Sequence, residues 1–259
     1  MKKQLILLGV LVVFFSLGHS YNVYSQDWPL VTASSDEFND SELDSKWTFV
    51  NPAPDPGGQS WSLTSNPGFL TMTSTGPTDL WGSTNTVPKM LQSAPGGNFQ
   101  IVSRVIAAPD AIHEHAGIIV MDSPSNWIRL IRDSRNNSIF LQKSPSNDIG
   151  YIPFSGSDVV IRLTKQGTEY QGEYSTDGGL NYTVVGSTDG FESLTDIGLT
   201  IASTQSGNVF TAEFDYFRIY APRGGRVPGL TDISIVILVL LLIGTFIYIR
   251  KKSVLPPNN

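Results

Sequence analysis

The sequence predicts an all-β domain of two packed sheets, flanked by an apolar segment at each end of the chain. Between Lys46 and Tyr220, apolar residues recur at every second position in short runs, the period of strands with one buried face. Clusters of Gly, Pro, Asn, Asp and Ser separate these runs, as turns require. Outside the terminal segments no window keeps a helical period, and roughly a dozen short strands in one unit make a sandwich or jelly roll.

At the N-terminus, Lys2-Lys3 is followed by an apolar run from Leu5 to Leu17 and then by small and polar residues through Ser25. This order predicts a signal peptide over residues 1–26. The competing reading, an uncleaved anchor, is disfavoured because the run falls short of the ~20 residues a span wants.

Residues 27–221 follow as the folded domain. Val159, Ile161 and Leu163 alternate with Val160, Arg162 and Thr164, and Phe210, Ala212, Phe214 and Tyr216 alternate with Thr211, Glu213, Asp215 and Phe217. The other expected strands are Trp47–Val50, Gly68–Thr73, Phe99–Ala107, Ala116–Met121, Trp127–Arg132, Ser138–Lys143, Thr168–Ser175, Asn181–Val185 and Ile197–Ser203. Asp177-Gly178 sits between two of these runs and predicts a β-hairpin. One copy of this turn, without a repeat at blade spacing, argues against a propeller.

Residues 222–232 are rich in Gly and Pro and predict a short stalk. Ile233–Ile249 carries no charge and is followed by Arg250-Lys251-Lys252. That is the pattern of a transmembrane helix with a stop-transfer cluster, leaving residues 250–259 as a cytoplasmic tail and the domain on the far side of the membrane. A short Pro-Gly motif, an apolar span and a basic tail also resemble C-terminal sorting signals, so a permanent anchor and a cleaved one both stand.

Charge narrows the partners. Residues 27–221 hold ten basic and 22 acidic side chains, a formal −12. Such a domain repels phosphate backbones, which argues against nucleic acid. With no cysteine in the chain, disulfides, thiolate metal sites and cysteine nucleophiles are excluded.

Several fragments in order carry a family resemblance: Asp36-Glu-Phe-Asn-Asp-Ser-Glu-Leu-Asp-Ser-Lys-Trp47, Gly97-Asn-Phe-Gln-Ile-Val-Ser-Arg-Val105, His115-Ala-Gly-Ile-Ile-Val-Met121, Asn126-Trp-Ile-Arg-Leu130, the Tyr174–Tyr182 hairpin and Phe214-Asp-Tyr-Phe-Arg-Ile219. Together they resemble the concanavalin A-like domain at the C-terminus of family 43 β-xylosidases and related bacterial proteins. The resemblance implies a two-sheet jelly-roll sandwich with one concave face, in a superfamily that often binds carbohydrate. It does not carry catalysis, because in those β-xylosidases a separate propeller is the catalytic part and this chain lacks one.

A glycosidase needs two carboxylates facing one sugar. The Glu-x-Asp-x-x-Glu strand motif of the superfamily's glucan-cutting members is absent, and Glu169 and Glu173 read as two solvent-facing charges on one strand. His113-Glu114-His115 offers two imidazoles without a third, and reads as a turn entering a strand. Asp36, Glu37 and Asp215, where the first and last strands would meet, are the candidate ligands of a structural Ca²⁺, as sandwiches of this kind often bind one.

For sugar stacking, Trp61 and Trp81 lie in Ser/Gly/Asn/Pro-rich surroundings, Tyr151 follows Ile149-Gly150, and Trp127 alternates with Arg129; Trp47 fits the core. The expectation is a surface-displayed, non-catalytic module binding glycan through Trp61, Trp81, Trp127 and Tyr151. The alternatives are a surface adhesion protein that binds other proteins and a glycoside hydrolase with an unrecognised carboxylate pair.

Overall fold

The computed structural model describes residues 28–51, 57–82, 84–145 and 147–222. The expected signal peptide, transmembrane span and basic tail lie outside these residues. Among the described residues no helix is long and apolar enough to cross a membrane.

The strands, in chain order, are β1 (Thr48–Val50), β2 (Ser60–Ser62), β3 (Leu70–Thr75), β4 (Leu80–Trp81), β5 (Thr84–Asn85), β6 (Lys89–Ser93), β7 (Phe99–Ala107), β8 (His115–Ser123), β9 (Asn126–Asp133), β10 (Ser138–Lys143), β11 (Asn147–Pro153), β12 (Asp158–Gln166), β13 (Glu169–Ser175), β14 (Thr183–Asp189), β15 (Asp196–Ala202) and β16 (Val209–Tyr220). They form two seven-stranded sheets. The first runs β1-β6-β15-β8-β9-β10-β11 and the second β14-β13-β12-β7-β16-β3-β2, while β4 and β5 pair separately. The all-β sandwich expected from the alternation is therefore the fold.

Between the sheets the main core takes Ile118, Val120, Ile128, Leu130, Ile139, Leu141, Leu199 and Ile201 from the first sheet. From the second it takes Leu70, Met72, Ile101, Val105, Ile161, Leu163, Phe214 and Phe217. Trp47 is buried there as expected, its ring edge-on to Phe217 and its indole N–H donating to Asp36 Oδ2 at 2.8 Å. The alternation in β12 is observed: Val159, Ile161 and Leu163 face the core, and Val160 and Arg162 lie outside that main cluster.

Two departures matter for function. The first sheet is also covered on its outer face. The segment between β3 and β6, carrying β4 and β5, lays Leu80 and Val87 over Leu91, Ile119, Met121, Trp127 and Ala202 to make a second apolar cluster. Strands β8 and β9 are consequently buried almost throughout, as strands covered on both faces are. This segment is anchored by Thr78, whose amide donates to Ser203 O, and by Asn85, whose side-chain amide donates to Pro124 O.

The second departure corrects the pattern read for β16. Its pairing with β7 shifts register between Phe214 and Phe217, an irregularity that places two residues against one. Phe210, Ala212 and Phe214 face the core before it; after it Phe217 and Ile219 do, and Tyr216 joins a small cluster with Val102 and Val160 on the other side. Tyr216 therefore does not share a face with Phe214.

Candidate functional site

Strand register assembles the site on the outer face of the first sheet. Residues directly opposite on paired strands share a face. His115 pairs with Asp133, Arg129 with Gln142, Gln142 with Asp148, and Phe140 with Tyr151. The β9–β10 turn adds Arg135, and the segment carrying β4 adds Asp79 and Trp81. The result is a cleft of about 280 Å³ lined by Asp79, Trp81, His113, His115, Arg129, Asp133, Arg135 and Gln142.

Its floor is a hydrogen-bonded polar network. Arg129 Nη1 lies 2.6 Å from His115 Nε2, and because a guanidinium has no acceptor, His115 must accept there through its lone pair. The other ring nitrogen, Nδ1, then carries the proton and donates to His113 O at 3.1 Å. Burial, reinforced by the Arg129 charge, holds the His115 pKa well below its ordinary value, which agrees with a neutral ring. Arg129 Nε donates to Gln142 Oε1 at 2.7 Å, and Gln142 Nε2 donates to Asp148 Oδ1 at 2.6 Å. Burial lowers the Arg129 pKa to about 10, so the group stays charged at neutral pH. Asp133 is buried, its carboxyl pushed up by desolvation against the opposing amide of Arg135, which donates to Oδ1 at 2.6 Å.

Above this floor runs a row of flat groups. The Arg135 guanidinium lies 4.0 Å from the Phe140 ring centroid and 6.0 Å from that of Trp81, and donates to Asp148 Oδ1 at 3.0 Å. Tyr151 stacks on Phe140 with centroids 5.1 Å apart and an interplanar angle of 21°. Trp81 is 40% exposed and Tyr151 51% exposed. Arg135 Nε is buried without a protein partner. Rings offering apolar faces beside fixed donors and acceptors can hold a polyhydroxylated ligand.

The expected ring residues thus separate. Trp81 and Tyr151 end one row, Trp81 beside Arg135 and Tyr151 linked to it through the buried Phe140 ring. Trp127 is 1% exposed beneath the covering segment, with Arg129 5.0 Å from its ring, so it packs and offers no platform. Trp61, 36% exposed, lies on β2 of the second sheet. Arg129, Arg135 and Gln142 were not among the expected residues, and His115 was read only as part of a turn entering a strand; strand pairing sets His115, Arg129 and Gln142 side by side, and the β9–β10 turn adds Arg135.

The first and last segments do meet, through bridges Leu30–Tyr220 and Asp36–Phe217. The expected Ca²⁺ ligands nevertheless point to different partners. Asp36 accepts from Trp47 and from the Phe38 amide, Glu37 is paired twice to Arg218 at 2.8 and 2.6 Å, and Asp215 accepts from Arg104 at 3.0 Å. Among the described residues no group of three acidic or imidazole side chains is placed to hold an ion. A larger hollow of about 700 Å³ lies over the acidic loop from Asp36 to Asp44, where the ring it includes, Phe38, is buried in the core. Glu173, expected at the surface, is instead nearly buried in a double hydrogen bond with Arg162.

Residues 35–220 match the family model of the β-xylosidase C-terminal concanavalin A-like domain. The chain belongs to this family. No curated protein matches the sequence. Among solved structures, a variant of the GH43 protein BlXynB from Bacillus licheniformis is 22% identical, with a TM-score of 0.61 over 72% of this chain and 39% of that one. GH43B of the Bacteroides ovatus xyloglucan PUL is 22% identical, with a TM-score of 0.56 over the same shares. A functionally unknown Saccharomyces cerevisiae protein is 17% identical, with a TM-score of 0.58 over 70% of this chain and 98% of that one. These likenesses show the concanavalin A-like fold, and the chain spans 39% of the length of the GH43 proteins it matches.

Proposed function

We propose that this concanavalin A-like domain is a non-catalytic carbohydrate-binding module, held on the outer side of a membrane by the C-terminal segment. The observation that carries the binding reading is the row Trp81–Arg135–Phe140–Tyr151, exposed at its two end rings, beside a cleft floored by fixed polar groups. Membership in a family of β-xylosidase domains supports sugar as the ligand class. Surface display rests on the sequence alone, through the basic-apolar start and the Ile233–Ile249 run with its basic tail. A cleft of this size, at the low end for small-ligand sites, suits one end or a short stretch of a glycan.

Affinity electrophoresis of the full chain through gels containing xyloglucan, arabinoxylan or mixed-linkage β-glucan tests the reading. At least one should retard the chain, and Trp81→Ala with Tyr151→Ala should weaken retention about tenfold, the scale of lost ring stacking. Trp61→Ala, on the other sheet, should leave this cleft untouched. Unretarded migration in every gel removes the carbohydrate reading.

One observation favours hydrolysis as a second reading. Asp133 on β9, pushed up by burial, and Asp148 on β11, held down by Arg135 and Gln142, flank β10 on opposite edges four register positions apart, and divergent carboxyl environments are what an acid and base pair needs. Against it, both carboxylates are engaged by the protein. Release of reducing ends from a retained polysaccharide, abolished by Asp133→Asn, would replace the binding reading with this one.

A further inference from the structure

The outer face of the second sheet carries a second set of rings that the cleft does not use. The irregularity in β16 turns Tyr216 outward, and Arg218 and Tyr220 follow on the same side. The β13–β14 hairpin supplies Tyr182. Its turn is tied by Asp177, which accepts from the Leu180 and Asn181 amides and the Asn181 side chain, while Ser175 Oγ donates to it at 2.7 Å. Gly178 and Gly179 sit at φ of 76° and 92°, and a Cβ on Gly179 would come within 3.0 Å of the Tyr182 hydroxyl. The turn thus delivers Tyr182 flat beneath Arg162, whose guanidinium is 3.5 Å from the ring centroid, and Arg218 covers Tyr216 at 3.9 Å.

Two properties of this face point to a ligand class. The hydroxyls of Tyr182, Tyr216 and Tyr220 make no hydrogen bond to the protein among the described residues, and none is a buried unpartnered atom, so each keeps a donor and an acceptor for something outside. The charges are already matched: Arg104, Arg162 and Arg218 are paired with Asp158 and Asp215, Glu173, and Glu37. Three guanidiniums against four carboxylates attract neither a polyanion nor a polycation. The hollows over the face, about 270 and 530 Å³, share Gly178, Tyr216 and Arg218 and so form one continuous groove.

We infer that this groove is a second carbohydrate-binding surface, fitted to the interior of a neutral polysaccharide chain, which makes the module bivalent. Phenol hydroxyls reach the sugar hydroxyls, and the prepaired arginines fix the rings without adding net charge. The cleft on the first sheet and this groove lie on opposite outer faces, so they can engage separate chains or distant stretches of one chain.

The test is the full chain carrying Tyr182→Phe, Tyr216→Phe and Tyr220→Phe together, which removes only hydroxyls that hold nothing in the fold. In xyloglucan gels, retention should weaken about tenfold with an unchanged melting temperature. Added to Trp81→Ala and Tyr151→Ala, the triple change should abolish what retention remains, and polygalacturonate, a polyanion, should retard none of the chains. Wild-type retention of the triple variant overturns the groove and leaves the cleft standing, whereas loss through the Phe changes alone with silent Trp81 and Tyr151 changes does the reverse. Preferred binding to polygalacturonate overturns the neutral ligand. A dimer in sedimentation that the triple variant dissolves overturns it in favour of a second copy of the chain.

Discussion

Replacing Lys89 with Met should stabilise the domain at neutral pH and erase a pH dependence that the wild-type chain carries. Lys89 is 2% exposed, and its Nζ donates to Asn85 Oδ1 at 2.5 Å and to Val87 O at 2.8 Å. Burial, with the nearby charge of Arg129 as a smaller contribution, lowers its pKa from 10.5 to about 7. Between about pH 7 and 10.5 the unfolded chain keeps a proton on Lys89 that the folded chain has released, so stability rises with pH across that window. Below pH 7 both states are charged and the whole cost of burying the ammonium is present. Above 10.5 both are neutral and the cost is gone.

At about 1.4 kcal/mol per unit, the depression bounds the cost at about 5 kcal/mol, and relaxation around the amine reduces the expectation to about 2–3 kcal/mol. Met keeps the unbranched stem and has no charge to desolvate. Urea denaturation of both chains from pH 6 to 10 measures the difference. Lys89→Met should be more stable by about 2–3 kcal/mol at pH 6, and the gap should close toward pH 10, where the neutral amine keeps its hydrogen bonds at little cost. Other titrating groups cancel in the difference. A difference that stays constant from pH 7 to 10, or a wild type more stable at pH 6, refutes the reasoning.

Two further changes separate packing from binding. Glu173→Gln leaves Arg162 nearly buried without its charge partner and should cost about 3 kcal/mol in thermal denaturation, most of it recovered when Arg162→Met is added. Trp127→Ala should cost about 3–5 kcal/mol through the cavity it opens under the β4–β5 segment, a loss that an exposed sugar platform would not show.

Strands whose two faces differ were readable from sequence. Phe99–Ala107 is observed over the expected residues, as is Ser138–Lys143 although both of its faces are buried, and the Asp177-Gly178 hairpin joins β13 to β14. Strand β6 was missed because Lys89 and Gln92 interrupt its apolar run, yet both are buried. Strand β11 was missed because Gly150 reads as a turn; in the structure Gly150 lets the backbone pass so near Val185 O that a Cβ would lie 2.2 Å from it. Of the ring residues, Trp81 and Trp127 have equally uninformative neighbours. Their opposite burial depends on a segment some forty residues away from Trp127 in sequence that folds over the outer face of β9 and carries Trp81 on its exposed side.

The alternation, the turn residues and the ordered family fragments by themselves determined the all-β sandwich, because each is a local record of which face of a strand meets the core. The tertiary structure decided the rest. Register across β8, β9 and β10 set His115, Arg129 and Gln142 side by side, and one irregularity in β16 reversed the side on which Tyr216 lies. Both are properties of pairing between distant segments, and the side-chain pattern of a single strand carries no information about its partner's register.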